Sequence, residues 1–320
     1  MAWTVTQPEL NMIASSFTSK IAGAGTIVLL ASAMMGWVAA PPAAAARAAS
    51  KAAVASQLVA SRGSKATGIR PPGRENESFA FDPRHDDFVM FGGDNHTTVF
   101  GGTWILHGTT WAQVHLAHAP SARTGAALVY DPATRQLLLF GGSSKPAFGG
   151  GFSNQTWVWT GTTWCQLHPA TSPSPRHNAD MIYNAATHDV ILFGGYGGSY
   201  LNDTWSWNGS TWTQLTPATS PGRTSVGWQA AYDAASGQVL LFGGDTDSPL
   251  PPAGGTWTWN GTTWTQLIPA LNPPGLGSGA MTYDSTSKQV FLFGGFADAA
   301  GTVYPNDTWT WNGSIWNLHN

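Results

Sequence analysis

The chain carries 320 residues, a formal net charge of −3, only 10% charged residues and a single cysteine. Fourteen Lys and Arg in all are too few for the clustered basic surface that phosphate binding requires, which excludes nucleic acid as a partner. The lone Cys165 excludes an intrachain disulfide.

The first 20 residues are polar to mixed, and residues 21–40 then run without a charge, long enough to span a bilayer. They are rich in Ala and Gly rather than Leu, and Ala44-Ala45-Ala46 supplies a small-residue cleavage site. Lys20 is the only basic residue before the segment, whereas Arg47, Lys51, Arg62 and Lys65 follow it. The positive-inside rule then opposes an anchor that leaves the remainder of the chain outside. Residues 1–46 are therefore read as a signal peptide or membrane anchor, with cleavage favoured and the mature chain secreted or on the cell surface. Membrane contact is expected only through residues 21–40, if they stay attached. Residues 47–73 are rich in Ala, Ser, Gly and Pro, lack aromatic side chains, and read as a linker.

From residue 74 onward one phrase is repeated five times. Gly-Gly pairs stand at Gly92-Gly93, Gly141-Gly142, Gly194-Gly195, Gly243-Gly244 and Gly294-Gly295, at intervals of 49, 53, 49 and 51 residues. Such a period marks repeated supersecondary units. Each unit holds four short strand candidates. In the second, Ala126-Ala127-Leu128-Val129-Tyr130 runs into the turn Asp131-Pro132-Ala133-Thr134. Leu137-Leu138-Leu139-Phe140 is a continuous apolar run, suited to a strand buried on both faces. After Gly141-Gly142, Thr156-Trp157-Val158-Trp159 alternates with the strand period of two, and Trp164-Cys165-Gln166-Leu167 follows. Asn208-Gly209, Asn260-Gly261 and Asn312-Gly313 join the last two stretches of three units, which predicts type I′ turns with positive φ at both residues. His107-Gly108 and Thr160-Gly161 are weaker versions. A four-stranded antiparallel meander repeated about every 50 residues is a propeller blade. The expectation for residues 74–320 is an all-β propeller of five visible four-stranded blades, preceded by the N-terminal hydrophobic segment and linker. Those five blades either close alone or need a partner to close.

An apolar strand ending in Gly-Gly, an aromatic pair and a Trp near the end of the unit resemble the Kelch repeat. The wording Asn202-Asp203-Thr204-Trp205-Ser206-Trp207-Asn208-Gly209 is similar to bacterial, galactose-oxidase-like Kelch propellers. The resemblance covers about three quarters of the chain. It implies a propeller that more often has six or seven blades. It is nearly silent on function, because lectins, protein-binding platforms and enzymes share the fold.

In a blade of this topology, the loop entering the first strand and the loop after Gly-Gly share one face. That face collects Arg74, Arg123, Arg176 and Arg223, each at the start of a first strand, with Leu276 in the fifth place. It also collects loops that differ between blades: Asp94, Asn95 and His96; Lys145 and Phe148; Tyr196 and Tyr200; Asp245 and Asp247; Phe296 and Asp298. Variable loops on a fixed scaffold are where binding concentrates. An arginine ring offers planar bidentate donors for carboxylates or sugar hydroxyls; against this stands a bracing role on loop carbonyls. The Kelch resemblance implies that arginines near this strand start take part in peptide recognition. Fourteen of the 17 Trp hold repeat positions and are expected to pack between blades. Trp228 falls outside the repeat, in a two-residue expansion, and is the single Trp proposed to stack on a sugar ring.

His115, His118, His96 and His177 lack the spaced carboxylates or cysteines of a metal motif, so no metal and no cofactor are expected. The copper-radical chemistry implied by galactose oxidase needs a Tyr joined to a Cys, and Cys165 falls on a predicted outermost strand. No catalytic residue is assigned. The reading is a secreted or surface-exposed binding module for a glycan or protein partner, with candidate ligand-binding residues Arg74, Arg123, Arg176, Arg223, Trp228, Tyr196 and Tyr200. The alternatives are a galactose-oxidase-like or sugar-epimerase-like carbohydrate-active enzyme and a structural envelope or adhesion module.

Overall fold

The computed structural model describes residues 69–146, 149–223, 228–243, 255–274, 279–295 and 306–319. The N-terminal segment 1–46, most of the linker, Phe148, Asp245, Asp247, Leu276, Phe296 and Asp298 lie outside the described residues. Among the described residues no helix is long and apolar enough to cross a membrane.

Twenty strands make five four-stranded antiparallel sheets, each in sequence order, so the chain is a five-bladed all-β propeller. Blade 1 holds β1 (Ser78–Asp82), β2 (Asp87–Phe91), β3 (Thr103–His107) and β4 (Thr110–Val114). Blade 2 holds β5 (Ala127–Asp131), β6 (Gln136–Phe140), β7 (Thr156–Trp159) and β8 (Trp164–Leu167). Blade 3 holds β9 (Asp180–Asn184), β10 (Asp189–Phe193), β11 (Thr204–Trp207) and β12 (Trp212–Leu215). Blade 4 holds β13 (Trp228–Asp233), β14 (Gln238–Gly243), β15 (Gly255–Trp259) and β16 (Trp264–Leu267). Blade 5 holds β17 (Ala280–Asp284), β18 (Gln289–Phe293), β19 (Thr308–Trp311) and β20 (Trp316–His319). The first strands pack on one another around the axis: β1 on β5, β5 on β9, β9 on β13, β13 on β17. Among the described residues no comparable packing joins β17 to β1.

The second strand of each blade is the core strand. Leu137 to Phe140, Val190 to Phe193 and Val239 to Phe242 are buried throughout, because one face meets the preceding blade and the other face the following one. Four hydrophobic clusters result, each spanning two consecutive blades. The outer strands of blades 2 to 5 each open on a buried Trp and are otherwise partly or fully exposed, as in β12; Cys165 is exposed on β8.

Each blade is bolted to the one before it by the Trp that opens its fourth strand. Trp164 Nε1 donates to Thr103 Oγ1 at 3.0 Å, Trp212 to Thr156 at 3.0 Å, Trp264 to Thr204 at 2.9 Å and Trp316 to Thr256 at 2.9 Å. The same rings lie edge-on or tilted against Phe91, Phe140, Phe193 and Phe242 of the preceding blade, with centroids 5.2–5.5 Å apart. One Trp thus supplies apolar area and satisfies a buried hydroxyl at once.

The Asn-Gly connections differ from the type I′ expectation. Trp207 pairs with Trp212, so four residues, not two, form the loop. Gly209, Gly261 and Gly313 have φ of 95–100°, whereas Asn208, Asn260 and Asn312 are not among the residues with positive φ. The reason is the Asn side chain. Asn208 Oδ1 accepts from Ser210 N, Ser210 Oγ and Thr211 N, each at 3.0 Å, and Asn260 and Asn312 do the same in their blades. The side chain stands in for a backbone turn.

The two kinds of bond predict different costs. Trp264→Phe removes the donor to Thr204 in a site closed to water and is expected to lower stability by about 2 kcal/mol. Asn260→Ala opens an exposed turn and is expected to cost less than about 1 kcal/mol. Urea unfolding of the two variants measures both, and equal losses would contradict this ordering.

Candidate functional site

The loop-rich face is built on a backbone contact between blades. Gly93 N donates to the Arg123 carbonyl at 3.0 Å, and Gly142 N donates to the Arg176 carbonyl at 2.9 Å. A Cβ on Gly92 or Gly141 would collide with that same carbonyl oxygen, and both glycines have φ above +70°. Glycine is therefore required twice over, by conformation and by the closeness of the next blade.

The arginine side chains point the other way, into their own blades. Arg123 is buried; its Nη1 donates to the Gly141 carbonyl at 2.9 Å, and its Nη2 to Gln155 Oε1 at 2.6 Å and Ser121 Oγ at 3.1 Å. Arg176 is fully buried; it donates to the Gly194 carbonyl at 3.0 Å and to both carboxylate oxygens of Asp203 at 2.6 and 2.8 Å. These two guanidiniums are committed to structure.

The partner residue precedes the Thr-Trp of the third strand. It is Gln155 in blade 2 and Asp203 in blade 3, but Gly102 in blade 1 and Gly255 in blade 4. Correspondingly, Arg74 stays half-buried, donating to the Gly92 carbonyl at 2.8 Å with its guanidinium 4.3 Å from the Phe100 ring centre. Arg223 is exposed. The four arginines do not converge on one ligand position in this structure.

Trp228 opens β13 opposite Gly243 and is buried, its ring 5.9 Å from that of Phe193. The two-residue expansion lengthens both β13 and β14 to six residues, which draws Trp228 into the core between blades 3 and 4. It presents no open ring face for a sugar.

Tyr196 and Tyr200 do come together, at 5.0 Å between ring centres. They belong to a larger patch that includes Phe152 and His177. Phe152 stacks on His177 at 5.3 Å and meets Tyr196 edge-on at 5.6 Å, while His177 and Tyr196 are 5.8 Å apart. Backbone bridges hold it: Ser143 with Phe152, His177 with Tyr196, and Tyr196 with Tyr200. Burial pushes the His177 imidazole down, so near neutral pH it acts as an uncharged ring. Beside Phe152 runs a groove of about 300 Å³ lined by Ser121, Ala122, Ser144, Gly151, Asn154 and Gln155. Phe152 is the site residue that the repeat pattern did not reveal, since the loops carrying it differ in length from blade to blade.

Glu75, Asp94 and His96 bring three ligand-type atoms within 4.8 Å of one another. The Asp94 carboxylate is already used: Oδ2 accepts from Thr124 Oγ1 at 2.6 Å, and Oδ1 from His96 N at 2.8 Å. The trio joins two loops of blade 1 and is tied to blade 2 through Thr124.

A family model, the KLHDC2/KLHL20/DRC7 Kelch-repeats domain, matches residues 56–244. That is more than half of the chain. The protein belongs to this Kelch-repeat family. Kelch propellers are in general protein-binding modules, which directs attention to the Kelch face that carries the aromatic patch.

Two ionisable groups behind this face carry pH signatures. Burial by itself would raise Asp203, but the Arg176 hydrogen bonds and charge, with the Trp205 indole, hold its carboxyl below the usual range. The folded chain therefore gains stability above the ordinary carboxylate value and loses it as pH falls through the depressed one. Arg176→Met is expected to cost about 3 kcal/mol near neutral pH and to flatten that acid limb, whereas Arg74→Met should cost less than about 1 kcal/mol. Asp180 behaves in the opposite sense. It lies on β9 opposite Phe193, at the place held by Ser78, Ala127, Gln229 and Ala280 in the other blades, and burial pushes its carboxyl up to about 8. Between its ordinary value and about 8 the folded chain keeps a proton that the unfolded chain has released. Stability should then fall as pH rises through this window, by at most about 1.4 kcal/mol per pH unit. Asp180→Asn should remove the slope in denaturation curves taken from pH 5 to 8; an unchanged slope would refute the assignment.

Proposed function

We propose that this Kelch propeller binds an extended protein segment on its loop-rich face, seated on the patch of Phe152, His177, Tyr196 and Tyr200 and running into the groove beside Phe152. The observation that carries the reading is the patch itself: rings from three separate loops of blades 2 and 3 in mutual contact, half-buried at Phe152, Tyr196 and Tyr200. Half-buried aromatic rings on a rigid support give large contact area at low entropic cost, the usual make-up of a binding hot spot. The groove walls add Ser, Asn and Gln side chains and loop backbone, which suit hydrogen bonds to a peptide main chain. Arg74 and Arg223 stand on the same face as the cationic groups left over by their blades, suited to a carboxylate at either end of the segment.

The reading includes a location. The uncharged stretch 21–40 followed by Ala44-Ala45-Ala46 supports export, with the propeller meeting its partner outside the cytoplasm. Intact mass of the mature chain checks this directly, and a species retaining Met1 with the propeller inside the cell would contradict it.

Selection of a random peptide library on the immobilised protein tests the binding function. Enriched peptides should carry an apolar or aromatic anchor, and Tyr196→Ala with Tyr200→Ala should weaken their binding by roughly tenfold or more without lowering the melting temperature. A glycan array run alongside separates the protein reading from the glycan one. Enrichment of glycans alone, lost in the same double variant, would replace the peptide by a sugar; peptide binding indifferent to both tyrosines would move the site elsewhere.

A further inference from the structure

Blades 2 and 3 each place one side-chain oxygen against the same pair of donors. In blade 3, Asp203 Oδ2 accepts from Arg176 Nη2 at 2.8 Å and from Trp205 Nε1 at 2.7 Å. In blade 2, Gln155 Oε1 accepts from Arg123 Nη2 at 2.6 Å and from Trp157 Nε1 at 3.2 Å. Blade 1 keeps both donors and loses the acceptor, because Gly102 stands where Gln155 and Asp203 stand. Arg74 is held as the other two arginines are. Its Nε donates to the carbonyl two residues earlier, here Pro72, at 3.0 Å, and its Nη1 to the Gly-Gly carbonyl, here Gly92, at 2.8 Å. Phe100 takes the flat face of the guanidinium, 4.3 Å from the ring centre, which leaves the edge donors available. A Cβ on Gly102 would stand 3.1 Å from both Trp104 Nε1 and Gln113 Nε2. Trp104 is only 5% exposed, and among the described residues neither its Nε1 nor Arg74 Nη2 has an acceptor.

We infer that blade 1 binds a ligand's carboxylate beside Gly102, gripped by Arg74 and Trp104 as Asp203 is gripped by Arg176 and Trp205. The inference deepens the peptide reading above and rests on it for the source of that carboxylate: the bound segment supplies the oxygen that the blade does not. An indole N–H and a guanidinium are donors only, so the site selects an acceptor, and the cation selects a charged one. Arg176 meets Asp203 through both carboxylate oxygens, the planar geometry that a carboxylate matches. Burial pushes the Arg74 guanidinium down and the Glu77 charge pulls it up; it stays cationic across the neutral range. Gln113 is exposed and Gly102 half-exposed, so the position opens to solvent, and the Gln113 amide stands by as a further donor. Blade 4 also has a glycine here, and a Cβ on Gly255 would stand 2.9 Å from Trp257 Nε1. Arg223, however, is exposed and makes no bond to the Gly243 carbonyl among the described residues, so the donors are not assembled there.

Acetate is the probe, titrated into the full chain in mild detergent with isotope-labelled tryptophan indoles and followed by NMR. The Trp104 indole signal, assigned by its loss in Trp104→Phe, should move saturably with sodium acetate and stay in place with sodium chloride at the same ionic strength. Arg74→Met should weaken the response by about tenfold or more. Gly102→Asp is the decisive variant. It supplies the acceptor from within the chain, so it should raise the melting temperature, start with the Trp104 signal already shifted and no longer respond to acetate. A Trp104 signal that ignores acetate in the wild type, or answers it equally in Gly102→Asp or Arg74→Met, would overturn the site. Acetate does not touch the aromatic patch, so failure of this titration leaves the seat on Tyr196 and Tyr200 standing, and loss of that seat leaves acetate binding standing. Peptides selected on the wild type then identify the source of the carboxylate. Binding lost both in Gly102→Asp and on amidating the peptide's C-terminus assigns a terminal carboxylate; binding lost in Gly102→Asp and on replacing the peptide's acidic side chains by amides assigns a side chain. Peptides that bind Gly102→Asp as tightly as the wild type would overturn the link between this site and the segment.

Discussion

The loop-rich face depends on a single backbone contact, the approach of one blade's Gly-Gly pair to the carbonyl of the arginine that starts the next. Gly93 and Gly142 donate to Arg123 and Arg176, and the space is too small for a Cβ on the neighbouring Gly92 and Gly141. The same arginine then reaches back with its guanidinium to the Gly-Gly carbonyl of its own blade, Gly141 or Gly194. One residue therefore clamps two blades, through its main chain on one side and its side chain on the other. The loops after Gly-Gly diverge only beyond this clamp. That arrangement allows Phe152 and Tyr196 to sit on loops of different length and still meet.

The buried arginines show how a repeat distributes charge. A guanidinium closed off from water needs an acceptor for each donor face, and Arg176 finds it in Asp203, Arg123 in Gln155. Where the blade carries Gly102 or Gly255 at that place, the arginine is left toward solvent or over an aromatic ring. Burial and partner vary together, position by position, as expected if desolvation decides which arginines are structural. Blade 5 shows the reciprocal case, with Asp307 at the partner position and Leu276 where the arginine would stand.

Most of the fold was legible because the repeat states it five times. Strand order, the doubly buried second strand and the interblade Trp all follow from period and alternation. The site was less legible for identifiable reasons. A repeated arginine in the sequence reads as a ring of ligand-facing groups, and only its partner 27 to 32 residues later, before Thr-Trp, marks Arg123 and Arg176 as braces. Trp228 stood out as an irregularity, but an insertion does not declare which of its residues joins a strand; here the extra pair Trp228 with Gly243 takes the ring inward. The Asn-Gly turn was placed correctly in the chain and assigned the wrong geometry, because the Asn side chain competes with the two-residue turn. Phe152 was missed since its contact with His177 arises from pairing between two loops that share no register in sequence.

The contacts between blades bring the same physics to the scale of the whole array. A blade is a thin sheet with two apolar faces, and its stability is largely the sum of contacts with its neighbours. Trp164, Trp212, Trp264 and Trp316 are each covered by the preceding blade and each donates to a Thr hydroxyl there, so the indole that fills the wedge also satisfies the polar group that the wedge would otherwise strand. Loss of one such bond is felt on both sides of the interface, because the Trp and the Phe it meets share one core cluster drawn from two consecutive blades.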